Sequence, residues 1–253
     1  YGLVKSFSST NKSDGSSGSQ GVGKFATYNF TELRTVLYST RTEDNEIGFQ
    51  GKTILVTFRD GENRKRVNKA RFGKPISEDV LPITEKDDIP EIFRRNEPGT
   101  DIYVIGFEPD DDNWVKLMAM SVIECFFYAI YKRTLEVDLE DADQIIHIDK
   151  NNIGEKIAEY DEYYKKMDMR EDDSFQYTAP LYWKAITETK NPIVKKFTYN
   201  RQSMGEYELY LLMGPDVQER RVLEMRKAGM KIREDTGFRI QSSFIGVFIA
   251  TGN

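Results

Sequence analysis

Apolar residues recur along this chain with two periods, and each period predicts its own elements. Alternation with β-branched and aromatic residues predicts strands at Arg34 to Thr40, in two runs between Ile47 and Phe58 broken at Gly51, and at Thr100 to Phe107. A charged turn is expected at Glu43-Asp44-Asn45, another at Asp60-Gly61, and a Pro98-Gly99 turn before the third strand. Residues 62–97 are basic at first, then acidic, with weak periodicity, and read as an irregular insertion. A 3.6-residue period dominates from Trp114 to Lys132, behind N-cap candidates at Asp110 to Asn113, and returns in a charged amphipathic helix from Ile153 to Lys166. Leu135 to Leu139 and Gln144 to Asp149 pattern as a short hairpin between them.

Beyond an acidic stretch at Asp168 to Asp173, the pattern predicts strands at Lys195 to Tyr199 and Tyr207 to Met213. A helix at Val217 to Lys227 and a strand at Phe238 to Ala250 complete this β-β-α-β unit. Gly229 is placed as the C-cap of that helix. A domain boundary is expected between about 150 and 190. No internal repeat is evident.

Length and composition narrow the class. With 253 residues, 39% of them hydrophobic and 12% aromatic, the chain can bury a core, as one large domain or two smaller ones. The net charge of −6 does not support a general polyanion-binding surface, although it leaves room for a local basic site. One cysteine excludes an intrachain disulfide framework, and one histidine excludes His-pair metal motifs. Leu117 to Tyr131 is the most apolar stretch, but it carries Glu124 and falls short of the ~20 residues a membrane-spanning helix needs. A core helix and a cytoplasmic location without membrane contact are expected. Cys125 on that helix is expected to be a buried, inert thiol, and His147 a strand residue without a catalytic role. Asp110-Asp111-Asp112 reads as a capping cluster, and Trp114 and Trp183 as core.

The chemical signal lies near the start. Lys5 to Gln20 is rich in Ser, Gly, Thr and Asn and ends in Gly18-Ser19-Gln20-Gly21-Val22-Gly23-Lys24, directly before a short helix expected from Lys24 to Leu33. Three glycines in six residues allow main-chain amides to wrap an anion, and the first turn of a helix adds free N–H groups. Gly18 to Lys24 matches the spacing of a P-loop, but Phe25 stands where Ser or Thr would hold Mg²⁺, and no strand precedes it. A dinucleotide fingerprint fails for the same missing strand.

The order of a polar loop, G-x-x-G-x-G, a short helix, a strand, a hairpin and then Gly99-Thr100 opening a strand resembles the GHKL superfamily of ATP-binding domains. That superfamily includes DNA gyrase B subunits, MutL, MORC proteins, histidine kinases and ninety-kilodalton heat-shock chaperones. On this resemblance, Gly18, Gln20, Gly21, Val22, Gly23, Lys24 and Phe25 form the end of an ATP lid spanning 5–23, Lys5 and Lys12 lie within reach of phosphate, and Thr100 binds at the adenine end. The implied fold is α+β: a two-layer α/β sandwich over 1–150 with a mixed sheet and helices on one face, a helical linker over 151–189, and a transducer-like α/β domain over 190–253. Lys231, or Arg226, would then sense the γ-phosphate.

The resemblance implies ATP and Mg²⁺ as ligands. The general-base Glu, the Mg²⁺-binding Asn and the Asp-x-Gly-x-Gly turn of the family do not occur in these residues, so they are expected upstream of Tyr1. It further implies a nucleotide-driven switch with dimerisation through the lid and transducer, similar to uncharacterised bacterial ATP-binding proteins of DNA-directed or phage-defence systems. The alternative is a noncatalytic interaction module that has lost its nucleotide. A histidine kinase is the weaker third reading, since no phosphoacceptor helix surrounds His147.

Overall fold

A computed structural model of the chain describes residues 23–77, 79–109, 111–167, 175–188, 193–201 and 205–252, with backbone alone at 23–25, 193–201, 205 and 251–252. Among the described residues the fold is mixed α/β, with several sheets, three α-helices and a majority of strand elements. The chain divides into two compact units, Tyr1–Asp110 and Asp111–Asn253. The division therefore falls earlier than the 150–190 region that the acidic stretch suggested. The reason lies in the helix at 114–131, whose apolar residues pack with the C-terminal sheet.

In the first unit, a 3₁₀ helix (Gly23–Phe30) precedes β1 (Thr35–Arg41) and β2 (Ile47–Ile54). The insertion is more ordered than its pattern suggests. After β3 (Phe58–Arg59) it holds β4 (Lys65–Arg66), β5 (Lys69–Phe72), β6 (Lys74–Ile76) and β7 (Asp79–Leu81), then two 3₁₀ turns, before β8 (Gly99–Ile105). The main sheet runs β5-β2-β1-β8, antiparallel throughout. β2 continues through Gly51 without a break. A Cβ there would lie 2.7 Å from Leu37 Cδ2 and 3.0 Å from Phe72 Cβ, so the glycine makes room for two neighbouring strands.

Strand alternation assigns the two faces of this sheet. Leu37, Ser39, Phe49, Asp101 and Tyr103 share one face by register. The 86–98 segment lies on this face. Phe93 stacks on Phe49 with ring centroids 5.3 Å apart, Ser39 Oγ donates to Phe93 O at 2.6 Å, and Arg95 pairs with Asp101. Val36, Tyr38, Thr40, Gln50, Lys52, Thr100 and Ile102 share the other. There the 3₁₀ helix lies across the sheet, with Tyr28 buried against Val36 and Tyr38. Among the described residues of this unit no α-helix accompanies the sheet, so the helical layer expected here is represented by the 3₁₀ helix alone.

The second unit contains α1 (Trp114–Tyr131), β9 (Val137–Glu140), β10 (Ile145–Ile148), α2 (Ile153–Lys166) and α3 (Ala179–Thr187), then β11 (Ile193–Arg201), β12 (Gly205–Met213), β13 (Arg220–Arg226), β14 (Lys231–Asp235) and β15 (Phe244–Gly252). α1 is long and apolar enough to cross a membrane by length and composition. In this unit it is a core helix: Val115, Ala119, Met120, Ile123, Phe127 and Ile130 are buried against α2, α3 and the sheet. Trp114 and Trp183 border the core half-buried.

The C-terminal sheet has the order β11-β12-β15-β13-β14, with β13 and β15 parallel and the other pairs antiparallel. The helix expected at Val217 to Lys227 is thus strand β13, and the C-terminal region is β-only among the described residues. Arg220 to Arg226 is built from good helix formers, but alternation puts Leu223 and Met225 inward between two partner strands, and that burial outweighs intrinsic propensity. Gly229 caps no helix. It sits at φ +72° in the turn between β13 and β14, donating its N–H to Arg226 O at 2.7 Å.

Candidate functional site

The sequence places the anion-binding turn at Gly18 to Phe25. Gly18, Gln20, Gly21 and Val22 lie outside the described residues, as do Lys5 and Lys12 and the rest of the expected lid. Gly23, Lys24 and Phe25 open the 3₁₀ helix. That helix is tied down at its far end. Thr31 Oγ1 donates to Ile105 O of β8 at 2.6 Å and accepts from Leu33 N at 3.1 Å. Its middle is fixed by Tyr28, whose hydroxyl lies 3.4 Å from that of Tyr38. Burial pushes the Tyr28 hydroxyl's pKa far up, and the neighbouring Tyr38 adds to the shift, so the phenol stays neutral.

Thr100 opens β8 on the same face of the sheet as this helix. Its hydroxyl is exposed and lies 3.0 Å from Thr40 Oγ1, directly across the ladder. Two polar residues that sequence reasoning passed over belong to this face. Gln50 is fully buried, donates through Nε2 to Val80 O at 2.9 Å, and leaves Oε1 without a partner among the described residues. Lys52 is buried beside it on β2, with Nζ 5.7 Å from the centre of the Tyr38 ring. Buried polar side chains of this kind are rare and expensive. The signal was present in the alternation Gly48, Gln50, Lys52, Ile54, but the sequence does not tell which face of a strand is covered.

Lys231 occupies a different environment, in the second unit. Its ammonium pairs with Glu124 of α1, a carboxylate buried to 4% exposure. The same carboxylate accepts from Thr178 N at 2.8 Å, Ala179 N at 2.7 Å and Thr178 Oγ1 at 2.6 Å. It therefore caps the N-terminus of α3 from a neighbouring helix, which satisfies two orphan amides and complements the helix dipole. This explains a charged residue in the middle of an apolar helix. Arg226, the other candidate sensor, lies on β13.

His147 stands half-exposed on β10 among carboxylates. Its Nδ1 is 2.6 Å from Asp138 Oδ1, and its Nε2 is 3.7 Å from Glu136 Oε1 and 3.9 Å from Asp149 Oδ2. The hydrogen bond to Asp138, with the fields of all three acids, raises its pKa above the usual imidazole range. Asp149 is committed elsewhere: Oδ1 accepts from Asn151 N and Asn152 N, and Oδ2 from Asn151 Nδ2. Among the described residues no group of three or more His, Cys, Asp or Glu side chains is arranged to hold a metal ion. Beside His147, a cleft of about 530 Å³ is lined by residues 133–136 and 149–151, with Arg133 and Lys150 set against Glu136 and Asp149.

Cys125 is half-buried, and burial raises its thiol pKa. Asp111 organises the start of α1, accepting from Asn113 N at Oδ1 and from Trp114 N at its carbonyl. No protein-family model matches this chain, and no curated protein shows significant similarity to it.

Proposed function

We propose that the first unit is an ATP-binding module of GHKL type, acting as a nucleotide-driven conformational switch. The observation that supports this reading is a shared face. The 3₁₀ helix that follows Gly21-x-Gly23, the exposed Thr100 hydroxyl, and the buried polar groups of Gln50 and Lys52 all belong to one side of the β2-β1-β8 sheet. A phosphate tail held by the amides of Gly18 to Gly23 and the Lys24 ammonium would then lie at the helix start.

In this reading the chain's own residues bind and orient the nucleotide. The glycine amides donate to phosphate oxygens, Lys24 supplies charge, and the segment 5–23 closes over them as a lid. Thr100 donates or accepts at the base end. Mg²⁺ would screen the phosphate charge, with its ligand and the general base expected outside the described residues. Lys231 is held by Glu124 in the second unit, so the proposed site does not use it. The transducer-like role of residues 190–253, and dimerisation through the lid and that region, belong to the same proposal.

The second reading is a noncatalytic interaction module of the same fold. It is favoured by the Thr40–Thr100 hydroxyl pair, which gives Thr100 a partner within the sheet without any ligand.

A thermal-shift titration of the full chain with ATP and with a nonhydrolysable analogue separates the two. The switch reading expects a saturable rise in Tm that is lost in Gly21→Ala and Gly23→Ala. No shift in the parent chain, or an equal shift in both variants, favours the interaction module.

A further inference from the structure

The β2–β5 hairpin does not end with the sheet. After Ile54 pairs with Lys69, Leu55 N donates to Asn68 O at 2.7 Å, Phe58 pairs with Arg66 and Arg59 with Lys65, and Asp60 N donates to Arg64 O at 3.0 Å. The result is a two-stranded arm reaching about 20 Å past the sheet, at ~3.3 Å per residue over six residues. Among the described residues no third strand pairs with β3 or β4. Val56 and Val67 stand 77% and 73% exposed on it.

The charge of this arm opposes that of the chain. Residues 55–76 carry seven Lys and Arg against two Asp and Glu, a surplus of +5, in a chain of net charge −6, so the remainder carries −11. An isolated hairpin is marginal in water, but this one is stiffened at its tip. The Asp60 carboxylate accepts from Glu62 N at 3.1 Å, Arg64 N at 2.9 Å, Arg64 Nε at 2.9 Å and Arg66 Nε at 2.9 Å. Arg64 and Arg66 are thereby compensated on one face, the face of Phe58. On the opposite face, Arg59 and Lys65 sit directly across from each other, and neither is paired with a carboxylate among the described residues.

We propose that this arm is a duplex-DNA contact, entering the major groove as a two-stranded ribbon with Arg59 and Lys65 toward the phosphates. The major groove of B-form DNA, about 12 Å wide, admits such a ribbon, whereas the deep, narrow major groove of A-form RNA does not. Lys65 and the N–H groups of Arg59 other than Nη1, which donates to Asn63 O at 3.0 Å, supply phosphate donors, while on the opposite face Asn68 can reach base edges and Val56 suits apolar contact with thymine methyls. A rigid tip lowers the ordering cost on binding. Acidic membrane surfaces are less well matched, because the cations sit on a narrow ribbon and not on a broad plane. The proposal does not rest on nucleotide binding by the first unit.

The test is fluorescence anisotropy of the full chain with a labelled mixed-sequence DNA duplex, over a salt series and without nucleotide. Binding is expected with a steep salt dependence. The Arg59→Ala/Lys65→Ala double variant is expected to bind about tenfold or more weakly, with the log–log salt slope reduced by about two. The charge-conserving Arg59→Lys/Lys65→Arg chain is expected to bind as the parent does. The proposal is overturned if the parent chain does not bind, if the alanine variant keeps the parental affinity and slope, or if the charge-conserving chain is as weak as the alanine variant. Equal or tighter binding to an RNA duplex or to phosphatidylserine vesicles overturns it as well.

Discussion

Glu124 on α1 and Lys231 on β14, separated by 107 residues in sequence, form an ion pair over the N-terminus of α3. The carboxylate is almost wholly buried and the ammonium is 20% exposed, so the pair joins two helices and a sheet edge at the border of the core. Two further contacts repeat the theme along the helix-facing side of this sheet. Tyr128 donates to Glu208 at 3.1 Å, and Tyr182 donates to Glu234, which also holds Arg221 at 2.9 Å. Lys231, Glu208 and Glu234 are each met by a helix side chain, which is how these three charged residues fit on a packed strand face.

Removing the carboxylate should be far more damaging than removing the ammonium. Glu124→Ala strands two α3 amides, the Thr178 hydroxyl and a partly buried cation, and is expected to destabilise the second unit by about 3–5 kcal/mol. Lys231→Met leaves three hydrogen bonds to Glu124 in place and should cost about 1–2 kcal/mol. Urea unfolding followed by far-UV circular dichroism checks both values through the transition midpoint. Any nucleotide-induced thermal shift is expected to survive Lys231→Met. Its loss would return Lys231 to the phosphate site.

Legibility in the sequence followed the length and purity of each pattern. α1 and α2 are plain because their apolar spacing runs through fourteen residues or more, and β8 because Ile102 to Ile105 are all β-branched or aromatic. The sequence of β13 is ambiguous because Leu223, Met225 and their charged neighbours fit both a helix and a strand, and only the pairing with β14 and β15 decides. The Glu124 cap was invisible because its partners lie 54 and 107 residues away. Gln50 and Lys52 were passed over because alternation sorts residues into two faces without saying which one is covered. The glycine signal at 18–23 was read from composition and spacing, and it lies almost wholly outside the described residues.

Gly229 gives a direct test of the turn that replaced the expected helix cap. Its φ of +72° strains any side chain, and a Cβ would lie 2.6 Å from Ala129 N and 2.7 Å from Ala129 Cα on α1. Backbone atoms of a core helix cannot yield cheaply. Gly229→Ala is therefore expected to cost about 2–3 kcal/mol, from strain and overpacking together. A helix cap would accept alanine at a cost near ~1 kcal/mol, so thermal denaturation distinguishes the two environments.

His147 is the single histidine of the chain, which makes its titration easy to follow by NMR. The folded state holds the imidazolium more tightly than the unfolded chain does, chiefly through Asp138. This contribution to stability is complete below the unfolded value of about 6.5 and is lost as pH rises through the higher folded value. The imidazole is expected to titrate above 6.5 in the native protein, and Asp138→Asn should bring it down toward that value. His147→Gln should flatten the stability profile in the same window. A native titration at or below the unfolded value would show that the Asp138 contact does not hold in solution.

Cys125, also single, reports on the packing of α1. Burial raises its thiol pKa, the adjacent Glu124 carboxylate raises it further, and Lys231 partly opposes both. The thiolate is the reactive species, so both its scarcity and its limited access slow alkylation. Iodoacetamide at neutral pH is expected to modify Cys125 at least about tenfold more slowly than a free thiol, with the full rate restored in urea. Lys231→Met removes the one opposing charge and should slow native-state alkylation further, provided the helix stays closed. A faster reaction in that variant would mean that losing the ammonium opens the end of α1, and alkylation kinetics at several urea concentrations would measure that opening directly.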